Sequence, residues 1–117
     1  MSDSRGIRSI GVLHPTFESW GGAEWFIHQS LVSLLAGSRI RATVYTHRWT
    51  PPPGETVPYQ VVCHRRGGVL TAPWDWEKIA REQAGLWREH SLLFVHNWPA
   101  TLWYQEGSRL GPLPPAV

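Results

Sequence analysis

The feature that most constrains the fold is an alternation of short apolar runs with longer segments of helical periodicity. Three segments show helical character: 22–36, roughly 74–89, and "WPATLWYQE" (98–106). The apolar runs, rich in β-branched residues, are typical of buried strands: "RSIGVLH" (8–14), "IRATVYTH" (40–47), "YQVVCH" (59–64) and "SLLFVH" (91–96). This alternation predicts an open, mainly parallel α/β sheet with flanking helices and strand order 3-2-1-4. The direction of the strand at 59–64 stays open.

The ends of the helices are predicted from apolar spacing and from residues that favour helix termini. In the first helix, apolar residues recur at helical spacing and Gly37 follows the last of them: Ala23, Ile27, Leu31, Leu34 and Leu35. Asn97 is a good N-cap and Pro99 is tolerated in a first turn, so we expect the third helix to begin there and to end at Gly107.

Composition narrows the class of protein. The chain has 117 residues, 42% of them hydrophobic and 17% charged, which is typical of one globular domain. A net charge of only +2 and scattered basic residues disfavour a nucleic-acid binder. The single cysteine excludes an internal disulfide and fits a reducing compartment. No apolar run approaches the roughly 20 residues that span a bilayer, and the N-terminus lacks a signal-peptide core, so we predict a cytoplasmic protein.

Histidine closes each predicted strand, at positions 14, 47, 64 and 96. If the strands are parallel, these imidazoles lie along one edge of the sheet. Such an edge would hydrogen-bond hydroxyls or phosphates, although histidine is also tolerated where strands meet solvent. A metal site is a third alternative, but the sequence shows no recognised ligand spacing, and we predict none. His14 and His96 flank the expected switch point between the first and fourth strands, where ligands bind in such sheets.

Gly21 and Gly22 stand where the first strand's loop passes into the first helix. Glycine there lets a ligand approach the backbone, and a helix N-terminus offers unpaired N–H groups to an anion. A permissive helix start is the other explanation. The dinucleotide-binding fingerprint and the P-loop are both absent. Arg65 and Arg66 would meet an anion or form a solvated turn, and the solvated turn is favoured.

These motifs together resemble the N-terminal half of family 4 glycosyltransferases of the GT-B fold. The resemblance is carried by "GGAEWFIHQSLVSLLA" opening the first helix, by "IRATVYTHRW" as the second strand, and by "SLLFVHNWPATLWY" as the fourth. It covers about residues 8–117. It implies a Rossmann-like acceptor-side domain over 8–117, incomplete at its C-terminal end, after a disordered segment 1–7.

The resemblance also implies an activity: retaining transfer of a sugar from a nucleotide-sugar donor to a saccharide or lipid-linked acceptor, without a metal. By that resemblance Gly21 and Gly22 would lie near the donor phosphates and the transferred sugar, with Glu24 supporting their loop. His96, Asn97 and Trp98 would lie at the acceptor rim of the cleft, and His14 would line the same edge. Peripheral contact with the inner face of a membrane would accompany a lipid-linked acceptor.

The chain departs from the family in length. Members usually have a second domain that binds the nucleotide, and the resemblance implies that such a domain, or a separate chain, completes this enzyme. The family's cleft histidine commonly follows the next strand, which would begin at "PPAV" (114–117), so no catalytic residue is assigned. We expect the chain alone to bind no cofactor and to be inactive. The alternatives are a non-catalytic saccharide- or partner-binding module and a small metal-binding α/β protein.

Overall fold

A computed structural model describes residues 8–64 and 74–117. The predictions of a disordered segment at 1–7 and of a basic turn at Arg65 and Arg66 lie outside the described residues.

Within the described residues the chain forms a four-stranded parallel sheet with helices on both faces. The strands are β1 (Ser9–Leu13), β2 (Arg41–Thr46), β3 (Gln60–Cys63) and β4 (Leu92–Val95), and the helices are α1 (Gly22–Leu35), α2 (Trp76–Trp87) and α3 (Ala100–Leu110). The strand order is β3-β2-β1-β4, and every pairing is parallel. The predicted Rossmann-like α/β sheet and its order are confirmed, and β3 is parallel to its neighbour.

Each face of the sheet carries its own hydrophobic core, because successive strand residues point to opposite faces. Leu13 and its β2 partner Tyr45 pack with α2 and α3, around Trp87 and Trp103. On the other face, Val12 and its β2 partner Val44 pack with α1 and the loop after β2. This second core also includes Ile27, Phe17 and Tyr59. The sheet is thus buried on both sides, which explains why its strands read as nearly continuous apolar runs.

The prediction for the third helix was wrong at both ends. Asn97 does not cap it: its φ is 67°, the peptide from Trp98 to Pro99 is cis, and the helix begins at Ala100. Asparagine is one of the few residues that adopt the left-handed conformation readily, so a turn replaces the cap. Gly107 does not end the helix but lies buried within it, and the helix continues to Leu110.

A further segment pairs with the free edge of β4. The N–H of Leu93 donates to the carbonyl of Pro115 at 2.9 Å, and the N–H of Val117 donates to the carbonyl of Leu93 at 2.9 Å. This pairing is parallel. The paired residues, 115–117, lie within the segment 114–117 at which the next strand is expected to begin.

Gly107 and Gly85 provide a matched pair of helical glycines for a stability test. A Cβ at Gly107 would lie 2.9 Å from Cζ3 of Trp87, whereas a Cβ at Gly85 would meet nothing within 4 Å. We expect Gly107→Ala to lower the free energy of unfolding by about 1–3 kcal/mol through overpacking. We expect Gly85→Ala to raise it by about 0.5–1 kcal/mol, because alanine loses less backbone entropy in a helix. Urea denaturation measures both changes; equal stability of the two variants would contradict this packing.

Candidate functional site

The carboxyl ends of the strands bring the four histidines to one edge of the sheet, as predicted. The backbone N–H of His96 donates to the carbonyl of Leu13 at 2.9 Å, and that of His64 donates to the carbonyl of Thr46 at 3.0 Å. Each histidine therefore extends the parallel pairing by one residue beyond its strand. Along the edge the order is His64, His47, His14 and His96, following the strand order.

His14 and Glu24 join the end of β1 to the start of α1. Nε2 of His14 lies 2.7 Å from Oε2 of Glu24, and the other carboxylate oxygen, Oε1, accepts a hydrogen bond of 2.9 Å from the N–H of Gly21. The second contact is the half of a capping box that a glycine N-cap can form. Glu24 thus fixes both the glycine turn and the histidine ring, which explains a carboxylate at this position.

The protonation of this pair follows from burial and hydrogen bonding. Burial lowers the pKa of His14, outweighing Glu24, whose hydrogen bond and charge act to raise it. Burial acts to raise the pKa of Glu24, but hydrogen bonds from His14 and from the N–H of Gly21 hold that pKa below its ordinary value. At neutral pH the pair is therefore a neutral imidazole that donates from Nε2 to a carboxylate.

This tautomer leaves Nδ1 of His14 as a hydrogen-bond acceptor. This atom is buried and has no hydrogen-bond partner of ordinary geometry among the described residues. The nearby backbone of His96 acts to raise the pKa of the ring, but burial outweighs it. The two imidazole rings of His14 and His96 lie 5.2 Å apart, and Nδ1 of His96 likewise has no partner in residues 8–64 and 74–117. Unpaired buried polar atoms are rare in folded proteins, so one on each of these two neighbouring rings indicates a place for a polar ligand or water beside the switch point.

Gly21 and Gly22 are exposed, and neither is needed by the fold. Gly21 has φ −100° and ψ −163°, an extended conformation open to any residue. Gly22 is the first residue of α1, and a Cβ on it would meet nothing within 4 Å. A Cβ on Gly21 would make only an ordinary contact of 3.4 Å with the Glu24 carboxylate. Neither backbone strain nor packing within the described chain therefore explains the pair.

The remaining predicted residues lie beyond β4 on the same edge. Asn97 and Trp98 form the turn between β4 and α3, and Trp98 is 65% exposed. A tryptophan this exposed places a large flat apolar surface in solvent, which is common at binding sites. The structure thus gathers His14, Gly21, Gly22 and Glu24 through direct contacts, and it places His96 against His14. No contact ties Asn97 or Trp98 to that group.

His47 and His64 are buried at the other end of the edge. His64 packs edge-on against Trp103, with ring centroids 4.6 Å apart, and neither of its ring nitrogens has a hydrogen-bond partner in the described part of the chain. Among residues 8–64 and 74–117, no group of three or more histidine, cysteine, aspartate or glutamate side chains is arranged to hold a metal ion.

The sequence reasoning missed His28. This residue is fully buried on α1 and contacts two residues of the loop between β2 and β3 (residues 47–59): Nδ1 is 2.7 Å from the Tyr59 hydroxyl and Nε2 is 2.7 Å from the Glu55 carboxylate. The sequence signal for its burial was weak: His28 comes one residue after Ile27, which lies on the buried face of the helix. His28 therefore anchors the loop behind the glycine turn.

An aromatic cluster continues from this anchor to the glycine turn. Trp20 lies 5.0 Å from Trp25 and 5.7 Å from Trp49, between ring centroids, and its indole N–H donates to the carbonyl of Thr50 at 2.8 Å. Trp20 immediately precedes Gly21. The turn is thus held on one side by Glu24 and on the other by packed aromatic rings, so its position is set before any ligand arrives.

No protein-family model, curated protein or solved structure matches this chain. Within the described residues, no helix has both the length and the apolar character to cross a membrane.

The buried histidines predict loss of stability in acid. Burial, with a smaller effect from His47, lowers the pKa of His64 from 6.5 to about 3. Below pH 6.5 the ring is protonated in the unfolded chain but stays neutral in the folded chain. The free energy of unfolding is therefore highest above pH 6.5 and falls as the pH is lowered toward 3. His14 and His90 have lowered pKa values and act in the same direction.

We expect His64 alone to reduce the free energy of unfolding by about 2 kcal/mol between pH 7 and pH 5. His64→Leu removes the titrating group without breaking a hydrogen bond. In this variant the decrease in the free energy of unfolding between pH 7 and pH 5 should be smaller by about 2 kcal/mol. Urea denaturation of both proteins at the two pH values measures it; an unchanged pH dependence would show that the ring is not held neutral.

Proposed function

We propose that this chain is the acceptor-side domain of a retaining GT-B glycosyltransferase, and that the turn at Gly21 and Gly22 receives the phosphates and the sugar of a nucleotide-sugar donor. The parallel sheet with order β3-β2-β1-β4 supports the proposal, because ligands of such sheets bind at the carboxyl ends of the strands beside the switch point. β1 lies next to β4 there, and the glycine turn follows β1.

The observation that carries the proposal is that neither glycine is required by its own chain. Both glycines are exposed and have open space around them, which offers clearance for something outside the chain to approach the backbone. Gly22 and Ala23 lie in the first turn of α1, where backbone N–H groups have no acceptor within the helix, and they lie at the positive end of the α1 dipole. A phosphate oxygen matches both features.

The proposal gives each residue of the edge a role. Gly21 and Gly22 would contact the donor phosphates and stabilise the charge that develops on the departing nucleoside diphosphate, as preorganised N–H donors do. Glu24 would orient the turn and keep His14 in the tautomer that offers Nδ1 as an acceptor for a sugar hydroxyl. His96, Asn97 and Trp98 would border the acceptor.

A complete enzyme on this proposal needs a donor-binding domain, in the same polypeptide or on a partner chain. That domain would bind the nucleotide, and no residue of the described chain is assigned as the catalytic group. The expected acceptor is a saccharide or a lipid-linked acceptor. The 117-residue chain by itself should bind without turnover.

Calorimetry with glucose 1-phosphate, glucose and inorganic phosphate tests this assignment. Glucose 1-phosphate should bind most tightly, because it offers both the anion and the hydroxyls. Glucose should bind at least about tenfold more weakly, a difference of about 1.4 kcal/mol. Equal affinity for glucose and its phosphate would favour the second candidate, a non-catalytic saccharide-binding module built on the exposed face of Trp98.

A further inference from the structure

A concave site lies at the end of the sheet opposite the histidine edge. A cavity of about 460 Å³ opens between the first residues of three strands and the last turn of α2. Its lining includes Ser9 of β1, Arg41 of β2, Gln60 of β3 and Leu86 of α2. Its volume falls within the range of about 300–1,000 Å³ common for small-molecule pockets. The proposed glycosyltransferase edge takes no part in it.

The floor of this cavity is a fixed hydrogen-bonded chain centred on His90. Nε2 of His90 is 2.6 Å from the Tyr45 hydroxyl, and Nδ1 contacts the Ser9 hydroxyl. The ring lies over β1 at Gly11, where an added Cβ would be 2.8 Å from Cδ2 of His90. Gly11 is thus a glycine that makes room for a ring, and the ring joins β1 and β2 under the cavity.

Two opposite charges lie beside this chain. Arg41 and Glu89 both line the cavity, and neither forms an ion pair with any other described residue. Both act on the same ring: burial lowers the pKa of His90, Glu89 acts to raise it and Arg41 acts to lower it. Among the described residues, the cavity therefore has an unpaired cation, Arg41, and an unpaired anion, Glu89, and both are close enough to His90 to influence its charge.

Apart from the polar side chains of Thr43 and Gln60, the remaining walls are apolar. They are formed by the side chains of Ile40, Ala42, Val62 and Leu86, with Pro58 at the rim. A ligand that fills this space needs a negative group for Arg41, a positive group for Glu89, and a hydrocarbon portion for the walls. One small molecule that carries all three is an α-amino acid with an aliphatic side chain.

We propose that the cavity bounded by Arg41, Glu89 and His90 binds a small zwitterion of the apolar α-amino-acid class. The carboxylate pairs with Arg41, the ammonium group pairs with Glu89, and the side chain packs on Leu86 and Val62. The Tyr45–His90–Ser9 chain supplies the polar floor.

The test uses leucine and two analogues that each lack one charge. The 117-residue chain is titrated with leucine, with 4-methylpentanoate, which has no ammonium group, and with leucinamide, which has no carboxylate. Binding is followed by NMR at the amides of residues 40–43 and 86–90. Leucine should shift these amides, and each analogue should bind at least about tenfold more weakly.

Charge-removing variants show which group of the ligand meets which residue. Arg41→Gln should weaken leucine about tenfold and leave leucinamide unchanged, whereas Glu89→Gln should weaken leucine similarly and leave 4-methylpentanoate unchanged. Glu77→Gln removes the same charge from the exposed face of α2 away from the cavity and should change nothing. Arg41 and Glu89 are exposed, so both variants are expected to fold, and thermal melting checks this.

Two results would overturn the proposal. One is an absence of amide shifts around the cavity with leucine. The other is binding that both analogues share equally, or that a neutral hexose reproduces without sensitivity to Arg41→Gln. Either would show that the charged pair does not select a zwitterion.

Discussion

Gly22→Val should weaken the binding of glucose 1-phosphate strongly while leaving the protein folded. A side chain at this position points into open space, since a Cβ there would meet nothing within 4 Å. It would occupy the clearance that we assign to the sugar phosphate. We expect the affinity to fall at least about tenfold, equivalent to 1.4 kcal/mol, in calorimetry. The free energy of unfolding should stay within about 0.5 kcal/mol of the wild-type value, as for surface substitutions in general.

Gly85→Val is the matched control for this variant. Gly85 is also an exposed helical glycine with nothing within 4 Å of an added Cβ, and it lies in α2. It should leave the affinity for glucose 1-phosphate unchanged. If both variants bind like the wild type, Gly22 is only a helix start. If Gly22→Val unfolds the chain, the open space around this glycine is incorrectly described.

Trp87→Ala should have the largest effect on stability. Trp87 is fully buried in the core between the sheet and α2 and α3, where it meets Tyr45 at 6.4 Å between ring centroids and packs directly on Gly107. Truncating an aromatic core residue to alanine costs about 3–5 kcal/mol through lost burial and the cavity left behind. For a domain with stability in the usual range of about 5–15 kcal/mol, that loss is a large fraction of the total. Urea denaturation would show it as a lower midpoint.

Trp87→Phe separates the loss of burial from the loss of a hydrogen bond. The indole N–H of Trp87 is buried without a partner among the described residues, so phenylalanine gives up no hydrogen bond. Its cost should therefore be clearly smaller than that of alanine. A Phe variant as unstable as the Ala variant would show that the N–H has a partner and that the core is described incorrectly.

The sheet was predictable because its signals are local and repeated. Each strand is a short apolar run that ends in histidine, and parallel pairing brings the ends of all such runs to one edge. The pairing of His14 with Glu24 was not predictable in detail, since it depends on how the loop from β1 returns to α1. The resemblance implied that Glu24 supports the glycine loop, and the hydrogen bond that its carboxylate accepts from the N–H of Gly21 is a contact of that kind.

The sequence-based predictions were wrong at residues whose surroundings override the burial or the position in a helix that their residue type favours. Apolar periodicity placed Leu34 on the inner face of α1, yet Leu34 is 41% exposed and polar His28 is buried instead. His28 is stable there only because Tyr59 and Glu55 satisfy both ring nitrogens, and those partners come from a loop 27–31 residues away. Gly107 stays inside a helix because Trp87 occupies the space of its missing side chain. Such long-range compensation leaves no local signal.

An NMR titration of the ¹⁵N-labelled chain with glucose 1-phosphate tests whether the glycine turn receives a sugar phosphate. We expect the largest amide shifts at Gly21, Gly22 and Ala23, because the anion meets the start of α1. The imidazole signals of His14 and His96 should move in parallel, because the hydroxyls of the sugar meet the histidine edge. Shifts confined to other surfaces, or none at about 10 mM ligand, where even a millimolar site would be largely filled, would contradict this assignment.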